Sequence, residues 1–257
     1  MKRIYLGGVL ILALSGCAVR RARVAPQCAG MPVDPAYVAV AEASGGHIYM
    51  LDPSELAQSS ELVNWQNRHT EVVFRAMGEM ATGPREFSFP VDSEISSLLI
   101  TVSMECHRQI AILEPSLMEA AGDRAAYRAG TALRVVRPHP GVWKIRVQGS
   151  GMYFVTAEAI SQVGLDVARV PQGAEAPVEL AVTGEVSAVR LRVVNSAGDV
   201  LGTLPVERGS GPGRFVAKLP AYPVQFRLAV EGMDPNGYLL QRVHAPLIPP
   251  SAPAAAD

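Results

Sequence analysis

The chain has 257 residues, 49% of them hydrophobic and 18% charged, with a formal net charge of -1. That length leaves room for about two globular domains and that composition excludes a disordered chain. With Lys and Arg scattered and the charge near zero, there is no electrostatic footprint for nucleic acid.

The first predicted element is a leader. Lys2 and Arg3 precede an apolar run from Ile4 to Leu14, too short to span a bilayer but suited to a signal peptide. It ends in Leu14-Ser15-Gly16-Cys17, which resembles the lipobox of bacterial lipoprotein signals. Residues 1–17 are thus expected to be a leader ending in a lipidated Cys17. Palmitate is expected among the acyl chains that hold the protein to the membrane, at about 0.8 kcal/mol per buried methylene. An ordinary secretory signal with an incidental cysteine is the alternative. Ala18 is not the Asp of an inner-membrane retention signal, so the outer membrane is the expected address. Arg20, Arg21 and Arg23 lie in a tether over 18–33, beside lipid headgroups or simply solvated.

Cys28 and Cys106 remain. In an oxidising envelope such a pair reads as a disulfide, closing a loop of 78 residues and contributing about 4–5 kcal/mol at most. Two separate thiols are the alternative.

A helical segment is expected over 34–82. Asp34 can cap a helix from Pro35 to Ser44, and Gly45-Gly46 can stop it. His47 to Leu51 reads as a short strand. From Asp52-Pro53-Ser54 a second helical region is expected through Met80, on Leu56, Leu62, Val63, Val72, Val73, Met77 and Met80.

From Arg85 the period becomes two. Glu86 to Val91, Leu98 to Met104, Gln109 to Leu113 and a strand at Leu133 and Val135 lead to Gly141–Val155. There Trp143, Ile145 and Val147 alternate with polar neighbours, and Gly149-Ser150-Gly151 reads as the turn of a hairpin. These strands predict a first sandwich over 83–170. A second is expected over 171–248, with strands at Val178–Val182, Val189–Val193, Val200–Val206, Phe215–Leu219, Phe226–Val230 and Tyr238–Val243. Turns are expected at Asn195–Asp199 and Met233–Gly237, and a Pro/Ala-rich tail over 249–257. The fold class is therefore mainly β: two antiparallel immunoglobulin-like sandwiches preceded by a short helical segment.

Several strings together resemble hemicentin-like proteins that contain a von Willebrand factor type A domain. Cys28 with Tyr37–Tyr49 resembles the last helix and strand of the type A domain. Pro90-Val91-Asp92-Ser93, Glu114-Pro115-Ser116, Gly141–Ile145, Phe226–Gly237 and Gln241-Arg242 resemble the β-region that follows it. The metal-binding Asp-x-Ser-x-Ser loop is missing, and about fifty residues are too few for a doubly wound sheet. The resemblance implies the C-terminal part of such a protein joined to a lipoprotein signal, without metal-dependent adhesion.

No catalytic constellation stands out, and no enzyme activity or cofactor is expected. His47, His69, His107, His139 and His244 have no metal-ligand spacing. Neither Gly149-Ser150-Gly151 nor Gly209-Ser210-Gly211 is a nucleophile elbow. Asp234-Pro235-Asn236-Gly237 reads as a turn rather than a calcium loop. Of the aromatics Tyr37, Trp65, Trp143 and Tyr153, Trp143 falls on an inward stripe. Two functions fit: a non-catalytic, lipid-anchored envelope protein acting as a protein-interaction or adhesion-type module through its β-sandwich domains, or a carbohydrate-binding or hydrolase-accessory module.

Overall fold

The computed structural model describes residues 33–65, 70–169 and 176–250. The leader, Cys17, Cys28, His69, the 171–173 boundary and residues 251–257 of the tail lie outside them.

The chain is mainly β, in three antiparallel sheets. It begins with α1 (Pro35–Ser44), capped as the sequence predicts. Asp34 Oδ1 accepts from Ala36 N at 2.8 Å, Pro35 opens the first turn, and Gly45 takes the left-handed conformation at φ 74°. A 3₁₀ turn (Pro53–Glu55) leads into α2 (Leu56–Trp65). Asp52 and Glu55 close a reciprocal capping box around that turn.

Two expectations fail here. His47 to Leu51 joins no ladder; side chains from the first sheet hold it instead. Helix also ends before Thr70, because β1 (Glu71–Val91) takes over Val72, Val73, Met77 and Met80. Residues 73–76 are buried consecutively, so the period-two signature vanishes and helix-like spacing is left. The first sandwich accordingly starts at Glu71 rather than at 83.

The first sheet runs β1, β5 (Gly141–Ser161), β2 (Ile95–Leu113), β4 (Gly130–Val136), β3 (Asp123–Tyr127). Its three long strands fold over on themselves. Phe74 and Phe89 would lie about 50 Å apart on a straight strand, yet their rings stack with centroids 5.5 Å apart. The bend falls at one level in all three strands. Register shifts occur between Met80 and Gly83 on β1 and around Cys106 on β2, both facing Gly149–Gly151 of β5. One leaf comprises 71–80, 151–161, 95–104, β4 and β3; the other comprises 83–91, 141–149 and 106–113. Strands that pass from leaf to leaf at bulges are a known way to build such corners. The expected hairpin at Gly149-Ser150-Gly151 is therefore a bend within one continuous strand. A Cβ on Gly149 would sit 2.1 Å from the Cys106 carbonyl oxygen, and Gly151 has φ 89°.

Between the leaves lie Val73, Phe87, Ile100, Met104, Trp143, Ile145 and Tyr153. The outer face of the larger leaf carries Leu99, Ala132 and Phe154, covered by Val38 of α1 and Leu62 of α2.

The second sandwich begins at Gly164 rather than at 171, because residues 164–169 pair with 179–183 instead of closing the first sandwich, and it is built from separate short strands. One sheet is β10 (Glu207–Arg208), β11 (Arg214–Leu219), β7 (Ala176–Thr183), β6 (Gly164–Arg169). The other is β13 (Leu239–Val243), β12 (Phe226–Met233), β8 (Ser187–Asn195), β9 (Val200–Leu204). Val178, Leu180, Leu191, Val193, Phe226 and Leu228 fill the space between. The predicted turns close as expected: Asn195 N donates to Asp199 O at 2.9 Å, and Asp234 N to Tyr238 O at 2.9 Å.

Candidate functional site

The side chains of α1 divide by helical spacing. Pro35, Val38, Ala39, Glu42 and Ala43 form one stripe, which walls a cavity of about 570 Å³. Across it stand Met77 of β1, Met152 of β5, and Leu247 and Pro249 beyond β13. Residues 245–247 press closely on α1: a Cβ on Gly45 would meet the Ala245 Cβ at 2.8 Å, and Leu247 N donates to Glu42 O at 2.8 Å.

Glu42 is the only charged residue of α1, and it is buried. Arg75 of β1 donates to its Oε1 through Nε at 3.1 Å and Nη2 at 2.7 Å. Arg227 of β12 donates to its Oε2. One carboxylate thus ties α1 to both sandwiches, which is how two buried cations are tolerated. Arg75 also reaches the Gly45 and Gly46 carbonyls, and Arg227 Nε donates to Ala245 O at 2.9 Å. Burial lowers the pKa of both guanidinium groups, that of Arg227 to about 10.

On the same face, His47 Nδ1 lies 3.1 Å from Glu158 Oε1. Burial pushes the Glu158 carboxyl up to about 7, against the pull of Arg75. Burial, assisted by the Arg75 charge, pushes His47 down to about 4. The imidazole is therefore neutral at physiological pH.

A second polar seam joins the sandwiches. Arg242 of β13 grips Asp92, with Nη1 to Oδ2 at 2.7 Å and Nη2 to Oδ1 at 3.2 Å. Its Nη2 also donates to Ser161 Oγ at 2.6 Å. Gln241 Nε2 donates to Val73 O at 2.7 Å. Asp234 Oδ2 accepts from Ser93 N and Oγ, while Oδ1 accepts from Asn236 N and Tyr238 N. Burial alone would raise the Asp234 pKa, but these donors hold it below the usual range. With both oxygens engaged, the 234–237 turn has no carboxylate left for calcium.

Asp92, Ser93, Asp234, Gln241 and Arg242, singled out in sequence by the hemicentin-like resemblance, thus meet at this junction. What sequence reasoning missed was Glu42, Arg75 and Arg227 as one network. The available signal was a charge inside an apolar pattern: Glu42 within α1, and Arg227 between Phe226 and Leu228.

The remaining sequence candidates scatter. Trp143 is core, its Nε1 donating to His139 O at 2.9 Å. Tyr153 is buried too, Trp65 lies under the Arg134 guanidinium, and Tyr37 stands in solvent. Cys106 is half-buried at the bend of β2, while its proposed partner Cys28 lies outside the described residues. Among the described residues no group of His, Cys, Asp and Glu could hold a metal. No helix among them is long and apolar enough to cross a membrane.

Neither a protein-family model nor a curated protein matches the sequence. Among solved structures, the chain is similar to the Bacillus licheniformis lipase BlEst2 in its propeptide form. That likeness has a TM-score of 0.36 at 12% identity, over 67% of this chain and 40% of that one. A biofilm-associated protein BSP domain gives a TM-score of 0.25 at 10% identity, over 78% and 56% respectively. The chain spans well under two thirds of either neighbour. At such TM-scores neither likeness bears on this chain's activity.

Proposed function

We propose that this chain is a non-catalytic, lipid-anchored module of the bacterial cell envelope that engages another envelope protein through α1. The observation that carries this reading is the outward surface of that helix. Tyr37 and Val40 are 58% and 67% exposed, while the one charged residue of α1 points inward. A helix so apolar is ordinarily covered, and an exposed apolar patch beside a cavity marks a contact surface. The lipobox at Cys17 supports the envelope address. The hemicentin-like resemblance supports a binding role, and the residues it singles out join the two sandwiches on which α1 rests.

Capture from solubilised envelopes tests it, with wild type and Val40→Glu as baits. One partner in stoichiometric amount on wild type, lost from Val40→Glu, is the expected result. No specific partner, or equal recovery on both baits, removes the reading. Intact mass of the extracted chain, before and after thiol reduction, tests the address. An acylated chain starting at Cys17, with Cys28 and Cys106 blocked until reduced, is expected; an unmodified start elsewhere overturns the anchor.

A further inference from the structure

We propose that the cavity between α1 and the C-terminal segment holds one acyl chain of a membrane phospholipid, an inference that rests on the lipid anchor proposed above. Its size fits. A volume of about 570 Å³, at about 30 Å³ per heavy atom, a water molecule's share, takes on the order of nineteen carbons.

Its chemistry fits better still. Val38, Ala39, Ala43, Met77, Met152 and Leu247 offer only apolar atoms, and the two methionines adapt to a flexible chain. The carboxylate of Glu42 is already spent on Arg75 and Arg227. A polar ligand would therefore lose water against a mainly apolar wall with little to replace it, whereas a hydrocarbon loses nothing. Gln225, exposed among the lining residues, is left to meet an ester or phosphate where the chain emerges.

Position supplies the source. Val33 and Pro249 both line the cavity, so the described chain enters and leaves beside it. Cys17 lies sixteen residues before Val33, a reach of at most about 55 Å. An anchor at Cys17 therefore keeps the cavity close to a bilayer, and Arg20, Arg21 and Arg23 in between favour anionic headgroups.

Native mass spectrometry of the full chain, extracted from membranes in mild detergent, tests the assignment. Ala39→Trp and Ala43→Trp fill the cavity from exposed helical positions. Wild type is expected to retain one phospholipid per chain, and both variants to retain at least tenfold less with unchanged circular dichroism. If tryptophan unfolds the helix, Ala39→Leu gives the same comparison. No retained phospholipid, or equal retention in the folded variants, overturns the proposal. The denatured mass of the same sample reads Cys17 separately. Phospholipid retained on a chain without acyl groups overturns the anchor and leaves the cavity assignment standing. An acylated chain without retained phospholipid overturns the cavity assignment alone, including the case in which the Cys17 acyl chain itself fills the space.

Discussion

In the first sandwich, strands of 21, 19 and 21 residues run through both leaves, whereas in the second no strand exceeds nine. Each design places its difficult geometry differently. Folding one sheet over itself fixes the leaves to each other through continuous backbone, so strain and close approach concentrate at the common bend. Two separate sheets depend on turns between strands, and each turn needs only its own residues. The first design should be sensitive at a few buried positions and the second tolerant along its loops. Between them stands Glu42, bonded to both.

The largest effect should come from cutting that link. Glu42→Ala leaves Arg75 and Arg227 buried without their anion and is expected to cost about 3–5 kcal/mol, measured by urea unfolding. Wild type should unfold in one transition, and the variant should separate the two sandwiches into two. A single transition in the variant would show that the Arg242–Asp92 seam alone couples them.

Next in size is the bend. Gly149→Ala forces a Cβ against the Cys106 carbonyl, and overpacking of this kind costs about 1–3 kcal/mol. An unchanged denaturation midpoint would mean that the three long strands can bend elsewhere.

A third effect depends on pH. Glu158 keeps its proton up to about pH 7 when folded, against an ordinary value of 4.5. Folding therefore takes up a proton between those values, and stability falls as pH rises through that window. His47, at about 4 instead of 6.5, works the other way, adding stability as pH rises from 4 to 6.5. Glu158→Gln removes the falling limb. It should match wild type near pH 4 and exceed it by about 1–3 kcal/mol at pH 8, read from thermal midpoints at both pH values.

The smallest effect sharpens the contrast at the bend. Gly83 sits at the same level on β1, but a Cβ there meets nothing within 4 Å and its φ is not positive. Gly83→Ala should change stability by less than about 0.5 kcal/mol. A loss matching that of Gly149→Ala would place the constraint in the bulge itself rather than in the crossing of β5 and β2.

Much of this architecture was legible from local pattern. The caps of α1, the strands of the second sandwich from Val178 onward and both of its turns follow from Asp34, Pro35 and Gly45, from alternation such as Val178-Leu180-Val182, and from Asn195–Asp199 and Met233–Gly237; β6 does not, since 164–169 falls within the range expected for the first sandwich. Each is settled within a few residues. Gly149-Ser150-Gly151 predicts a hairpin as readily as a bend, because Gly-Ser-Gly permits either geometry. Only the pairing of that stretch with both β1 and β2 kept the strand continuous. The start of β1 carries a helix-like pattern through Met80 because the second sandwich and the helical layer bury faces that would otherwise alternate.

The sequence by itself therefore determined the class of fold, the capped helix and most of the short-strand half, since propensity, periodicity and turn chemistry act over a few residues. Tertiary structure decided the folded-over sheet, the cavity and the Glu42–Arg75–Arg227 network. Glu42 and Arg227 lie 185 residues apart, and no local preference can specify which distant cation will neutralise a buried carboxylate.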